Sequence, residues 1–163
     1  MSLNHIHLTP QLLANLYTDT LIESYATVMP DQTYHYQSLG GNKKNILIVV
    51  AKQNQPFLPD NELQFLTSIL SACKLSLADI ALVNLDRLKE KGHQQLIDHF
   101  KSKFILLFNV EPLQFGLPIH FPPFQIQEFS KCIYMFAPDL QQIEMDKQLK
   151  KNLWIALKDL FCL

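Results

Sequence analysis

The sequence predicts an α/β domain in which helices cover both faces of a mostly parallel, four-stranded sheet, giving a three-layer α/β/α sandwich. Several strand-sized runs are apolar without interruption, which is typical of strands buried on both faces of a parallel sheet. These runs alternate with stretches whose apolar residues recur at helical spacing. Hydrophobic residues make up 48% of the 163 residues, which is enough for an ordinary globular core.

Composition and charge narrow the class of protein. The formal net charge is −1, so the overall basic excess typical of nucleic-acid binders is missing, although a local basic patch remains open. The longest apolar run, Ile46–Ala51, is strand-sized and far shorter than a membrane span. Residues 1–5 lack a signal-peptide pattern. Cys73, Cys132 and Cys162 form no CxxC motif, so we expect reduced thiols in a cytoplasmic protein.

Residues 1–44 are expected to form an N-terminal arm consisting of a helix and a linker. Thr9-Pro10 is a helix-start signal, because proline is favoured at the first helical position. The apolar residues that follow suit one helix and include the candidate partner-binding residues Leu12, Leu16, Tyr17 and Leu21. Residues 29–44 are typical of an irregular linker. Two interpretations remain open: this helix docks on a partner protein, or it covers the sheet of its own domain.

Residues 45–163 supply the main α/β domain. Four strands are predicted, at Asn45–Ala51, Asp79–Leu85, Lys103–Phe108 and Lys131–Phe136. Phe124–Gln127 is a candidate for a short edge strand, next to the proline- and aromatic-rich, irregular stretch 110–124. Three helices are predicted: from a cap at Asp60 to about Cys73, over Gln94–Phe100, and from about Asp146 to Phe161.

The closing helix is the clearest amphipathic element and carries the only tryptophan of the chain. Its apolar stripe consists of Leu149, Leu153, Trp154, Leu157, Leu160 and Phe161. Its lysines lie largely off this stripe: Lys147, Lys150, Lys151 and Lys158. Together with Lys43 and Lys44 they are candidates for an anion-binding face. Solvated positions on an amphipathic helix explain them more simply.

Ligand sites in parallel sheets lie beyond the carboxyl ends of the strands. The candidate binding residues at that edge are Asn54, Asn84, Asn109 and Asp139. We interpret Glu111 and Asp139 as solvated or capping carboxylates rather than as an acid–base pair. No serine or cysteine lies in a nucleophile motif, and no phosphate-binding glycine loop is present. His5 and His7 have no obvious further metal ligand. The sequence therefore predicts no catalytic residue, metal or cofactor.

A series of segments between residues 45 and 161 matches, in order, the pattern of a known family. The segments are Phe65-Leu66-x-x-Ile69-Leu70-x-Ala72, Leu75, Asp79-Ile80, the strand ending near Asn84, Phe104–Phe108, Ala137-Pro138-x-Leu140, Asp146 and Leu153-Trp154. This pattern resembles the psi-subunit family of bacterial DNA polymerase III. The resemblance rests on spacing and residue type rather than on an invariant signature. That family has a degenerate uracil-DNA glycosylase fold, so the resemblance implies a uracil-DNA glycosylase-like fold here.

The chain is also similar to the uracil-DNA glycosylase superfamily itself, at Gln55-Pro56-Phe57, Leu66-x-x-Ile69-Leu70 and Val83-Asn84. Ala137-Pro138-Asp139 falls where glycosylases carry a His-Pro-Ser type loop. A glycosylase needs that histidine to stabilise the departing base, and a tight polar pocket for the extruded nucleotide. Here the loop has no histidine, and the loop after the first strand lacks the Gly-rich or Asp-Pro-Tyr motif. The similarity therefore implies a retained fold and a lost catalytic site.

The psi resemblance implies a non-enzymatic connector in the clamp-loader assembly. In that role a flexible N-terminal segment reaches the clamp loader while the folded domain holds another subunit. The family's N-terminal segment is not recognisable in residues 1–28, which leaves the identity of the partner open. Two alternatives remain: a glycosylase-fold protein that binds nucleic acid without cutting it, and an enzyme of unknown type acting at the strand ends.

Overall fold

The computed structural model describes residues 35–89 and 92–163, and the structural statements below concern this part of the chain. The predicted N-terminal helix lies outside the described residues. So do the candidate partner-binding residues Leu12, Leu16, Tyr17 and Leu21, and the two histidines His5 and His7. The described strands and helices all belong to one compact unit, Tyr36–Leu163.

The described strands form one five-stranded sheet. They are β1 (Ile46–Val50), β2 (Ile80–Asn84), β3 (Phe104–Phe108), β4 (Ile126–Phe129) and β5 (Cys132–Ala137). Their order is β2-β1-β3-β5-β4; the first four run parallel, and β4 pairs antiparallel with β5 at the edge. The predicted mostly parallel α/β sheet is confirmed. The strand count is five rather than four, because the candidate edge strand joins the sheet.

Five α-helices are described: α1 (Asp60–Ala72), α2 (His93–Phe100), α3 (Pro112–Phe115), α4 (Leu140–Met145) and α5 (Lys147–Phe161). Every residue of β1 is buried, because its alternate side chains enter two different cores. One core packs α1, α4 and α5 on one face of the sheet, and the other packs α2 and α3 on the opposite face. This arrangement is compatible with the predicted three-layer α/β/α sandwich. None of the described helices combines the length and apolarity that crossing a bilayer requires.

The two shortest helices were not predicted from the sequence. α3 lies in the proline-rich stretch that was expected to be irregular. Pro112 starts it, and Gly116 ends it with a φ of 105°. α4 begins after Asp139, whose side chain accepts a hydrogen bond from the backbone N–H of Gln141. Asp146 then ends α4 and caps α5, which confirms the predicted start of the closing helix.

Residues 36–44 belong to the α/β unit, although the sequence pattern assigned them to the N-terminal arm. Leu39 forms an antiparallel bridge with Leu82 of β2, with N–H to O=C distances of 2.9 and 2.8 Å. Gly40 has a φ of 113°, and a Cβ there would collide with the carbonyl oxygen of Ile80. The Asn42 side chain donates to the Phe100 carbonyl at 2.7 Å. Hydrogen bonds hold most of this segment, and only Tyr36 and Leu39 pack against the two cores, which explains why its polar composition resembled a linker.

Candidate functional site

The loops that follow β1, β2, β3 and β5 meet at the carboxyl edge of the sheet, where a ligand site is expected. The structure does not join the four predicted residues into one site. Asn84 and Asp139 both contact Lys52, through the hydrogen bonds described below. Asn54 and Asn109 are exposed turn residues with φ values of 62° and 56°. Asparagine tolerates this left-handed conformation better than most residues, so a turn role accounts for both positions.

The Lys52 ammonium group bridges two carboxylates at this edge. Its Nζ lies 2.8 Å from Oε1 of Glu62 and 2.8 and 2.9 Å from the two carboxylate oxygens of Asp139. Lys52 follows β1, Glu62 lies in the first turn of α1, and Asp139 follows β5. One side chain therefore ties together three segments that are distant in the sequence. We call these three residues the Lys52 cluster.

The Lys52 cluster is largely removed from water. Glu62 is 3% exposed, and the side chains of Lys52 and Asp139 are 15% and 21% exposed. Burial alone would lower the pKa of Lys52, but the hydrogen bonds and charges of Asp139 and Glu62 outweigh it and raise that pKa above its ordinary value. Lys52 is therefore protonated at neutral pH, and its positive charge is paired with both carboxylates.

The Asp139 carboxylate makes two structural contacts, one with Lys52 and one with the start of α4. It holds Lys52, and its Oδ1 also accepts from the backbone N–H of Gln141 at 3.3 Å, at the start of α4. The interpretation of Asp139 as a capping carboxylate is thus confirmed, and the ion pair with Lys52 is an additional role. Glu111 is exposed at the residue before α3, with no hydrogen bond from its side chain to that helix.

Asn84 is 1% exposed and uses its side chain to hold the loop that follows β1. Its Nδ2 donates to the backbone carbonyls of Lys52 and Gln55, both at 2.8 Å. Its Oδ1 accepts from the backbone N–H groups of Lys52 at 3.1 Å and Asp86 at 3.2 Å. An asparagine amide offers two donors and two acceptor positions, so these four bonds use its full capacity. The side chain of Asn84 therefore has no hydrogen-bonding position left for a ligand.

An open depression of about 310 Å³ lies beside the Lys52 cluster. Its lining residues are polar or charged: Lys52, Gln53, Asn54, Asp86 and Arg87. Arg87 donates from Nε to the Gln55 carbonyl at 3.1 Å, so its guanidinium is partly engaged by the protein. Small-molecule sites are usually enclosed and largely apolar, with a few converging polar groups. This depression is open and lacks the apolar lining of such sites.

Lys52 and Glu62, the two residues that complete the cluster, were not predicted from the sequence as site residues. One signal was present for Glu62: it lies four residues before Leu66, on the same helical face as the buried Leu66 and Leu70. An acidic side chain on a buried face requires a cation, and Lys52 directly follows the run of buried residues in β1. Nothing in the local sequence indicated that Asp139 would be the third member.

The described residues include neither a group of side chains suited to a metal ion nor a disulfide bond. Within 35–89 and 92–163, no three histidine, cysteine or carboxylate side chains are grouped to hold a metal ion. Cys73, Cys132 and Cys162 are free thiols. Burial raises the pKa of Cys73 and Cys132, so both are protonated at neutral pH and weakly nucleophilic. Cys132 also donates to the Ser102 carbonyl at 3.3 Å.

Comparison with known proteins does not assign the chain to a family. No family model matches this sequence, and no curated protein is significantly similar to it. The contacts at the sheet edge and on the helices are therefore the observations from which a function can be inferred.

Proposed function

We propose that this chain is a non-catalytic protein-interaction subunit with a uracil-DNA glycosylase-like fold, similar in role to the psi subunit of the DNA polymerase III clamp-loader complex. The observation that carries the proposal is the Lys52 ammonium group, which engages both Glu62 and Asp139. This pairing occupies the edge of the sheet at which parallel α/β proteins usually bind their ligands.

A catalytic acid, base or nucleophile must be able to reach its substrate. Glu62 is almost fully buried, and its half-buried neighbour Asp139 is engaged by Lys52 and by the start of α4. Asn84, at the end of β2, has all of its hydrogen-bonding capacity used by the protein. These side chains stabilise the loops of the domain, which supports a binding role elsewhere on the surface rather than catalysis at this edge.

Two features support the proposed uracil-DNA glycosylase-like fold: the four parallel strands with helices on both faces, and the loop between β5 and α4. In that loop, a glycosylase would present a histidine to the departing base. Here the loop presents Asp139, which pairs with Lys52. An ion pair in place of a histidine at this position supports the proposal that the fold serves binding to other proteins and not catalysis. We also propose a cytoplasmic location, which the free thiols of Cys73, Cys132 and Cys162 support.

Affinity purification of the tagged full chain from an extract of its native cells tests the proposal. We expect clamp-loader subunits to be recovered with the tagged chain and identified by mass spectrometry. An unrelated protein of the same size, with the same tag, is the control for adventitious capture. Recovery of no clamp-loader subunit above this control would contradict the proposed role.

Direct nucleic-acid binding is the alternative function. It predicts that the chain binds DNA with an affinity that falls steeply as salt is raised, because bound cations are released from the phosphates. If a DNA titration shows such binding while the affinity purification yields no clamp-loader subunit, the alternative replaces the proposal. A flat DNA titration at low salt removes the alternative.

A further inference from the structure

An apolar groove runs between α1 and α5, the two long helices that cover one face of the sheet. We call it the α1–α5 groove; its lining includes Phe65 and Ile69 from α1, and Lys150, Trp154 and Leu157 from α5. Its volume is about 230 Å³, and most of its lining is apolar. Phe65, Ile69 and Trp154 are only partly buried although they pack against the core. The groove therefore keeps apolar surface in contact with water.

Cationic groups flank the apolar lining of the groove. Lys150 Nζ lies 5.7 Å from the ring centroid of Phe65, and Lys158 Nζ lies 5.4 Å from that of Trp154. In the described part of the chain, neither ammonium is in an ion pair. α5 carries four lysines and one aspartate, whereas the whole chain has a net charge of −1. Two of these positive charges lie next to the apolar lining: Lys150 is part of the lining, and Lys158 lies over the Trp154 ring.

We propose that the α1–α5 groove docks an acidic, amphipathic helix of a partner protein. This inference rests on the proposed function as an interaction subunit and adds the site and the chemistry of the partner. Helix-in-groove recognition places apolar residues at positions i, i+3, i+4 and i+7 into a hydrophobic groove. Here those residues would cover Phe65, Ile69 and Trp154, and neighbouring carboxylates would meet the ammonium groups of Lys150 and Lys158.

Two other occupants fit the surface less well. A second copy related by a two-fold axis would bring the same patch against itself. The lysines of α5 would then face one another, which is unfavourable. A membrane surface favours an apolar face that projects into the lipid. Phe65 and Trp154 instead line a concave groove between two helices.

Trp154 makes the proposal directly measurable, because it is the only tryptophan of the chain and lies in the groove. The probe is a synthetic peptide of about four helical turns, free of tryptophan, with leucine at i, i+3, i+4 and i+7 and glutamate at the exposed positions. A second peptide has lysine in place of each glutamate. We expect the glutamate peptide to change the Trp154 emission saturably, and the lysine peptide to leave it unchanged.

The matched variants are Lys150→Glu and Lys151→Glu. Both residues are exposed on α5, but only Lys150 lines the groove. We expect Lys150→Glu to weaken binding of the glutamate peptide at least about fivefold, while Lys151→Glu has a clearly smaller effect at physiological salt, where exposed charges are screened. The docking proposal is overturned if both peptides bind equally or if the two variants have the same effect.

Three further outcomes would also overturn it. The first is an unchanged Trp154 emission with the glutamate peptide. The second is an emission change that anionic phospholipid vesicles cause and the peptide does not. The third is a change that depends only on protein concentration, which would identify a second copy as the occupant. If the glutamate peptide leaves the Trp154 emission unchanged while native clamp-loader subunits are captured by the full chain, the groove proposal fails and the proposed function stands. If the peptide binds as expected but no clamp-loader subunit is captured, the proposed function fails while the groove proposal stands.

Discussion

Replacing Lys52 by methionine is expected to lower the free energy of unfolding by about 3 kcal/mol, the lower end of the range for breaking a buried ion pair. The substitution keeps much of the side-chain volume but removes the only cation that pairs with Glu62 among the described residues. Glu62 is 3% exposed, so its carboxylate would remain buried without a counter-ion. The side chains of Lys52 and Asp139 are partly exposed to water, which keeps the expected loss of unfolding free energy at the lower end of that range.

Glu62→Gln is the matched control for this prediction. Its amide keeps the shape of the side chain and an acceptor oxygen for Lys52, which still pairs with Asp139. We expect a cost of about 1 kcal/mol, typical of one ordinary hydrogen bond. Urea denaturation followed by circular dichroism measures both variants. Equal costs for the two substitutions would contradict the view that Lys52 is the centre of the cluster.

The effect of Lys52→Met also depends on pH in a predictable direction. The folded-state pKa of Lys52 is raised above its ordinary value of 10.5 by Asp139 and Glu62, which outweigh burial. The stabilisation by the protonated lysine is therefore complete below about 10.5 and is lost as the pH rises through the folded-state pKa. The difference in stability between the wild type and Lys52→Met should shrink in strongly alkaline solution and stay constant between neutral pH and about pH 9.

Asn84→Ala is expected to cost about 3 kcal/mol as well, because several backbone groups lose their partner at a buried position. These are the N–H groups of Lys52 and Asp86 and the carbonyls of Lys52 and Gln55. Hydrogen exchange gives a local readout: the amide protons of Lys52 and Asp86 should lose protection more than those of β3.

Asn152→Ala supplies the control for Asn84→Ala. Asn152 lies in α5, and its side chain accepts one exposed hydrogen bond from Gln148 at 3.1 Å. Alanine is the better helix former, so we expect a change within about 0.5 kcal/mol. If Asn84→Ala costs no more than Asn152→Ala, the four hydrogen bonds at Asn84 do not hold the loop after β1.

The sheet was predictable because its strands are short, apolar runs buried on both faces, and β1 to β3 formed within the predicted segments. The edge strand was placed two residues too early, at Phe124–Gln127 instead of Ile126–Phe129. Its register depends on the turn at Ser130 and Lys131, whose φ values are 52° and 66°. Such turns are usually signalled by Asn-Gly or Asp-Gly. Without that signal, the pairing of Phe129 with Cys132 was not readable from the sequence.

The candidate site was only partly predictable, for a different reason. Asn84 and Asp139 were found because they follow strands, but their partners are determined by the tertiary fold. Lys52 and Asp139 are 87 positions apart, and β3 lies between the strands they follow. Asn54 and Asn109 follow the same strand-end pattern, and both adopt a positive φ, which asparagine tolerates better than most residues. The strand-end pattern therefore located these residues in the fold but did not indicate the contacts that each of them makes.

Size-exclusion chromatography with light scattering, on the purified full chain mixed with the purified clamp-loader complex from the same cells, tests the central claim most directly. The claim is that the chain acts by binding protein while its sheet edge is structural. It predicts one complex of fixed stoichiometry, formed equally by the wild type and by Glu62→Gln. In that variant the Lys52 cluster at the sheet edge is altered while the domain stays folded. Elution of the chain and the clamp loader as two separate species, at every concentration tested, would contradict it.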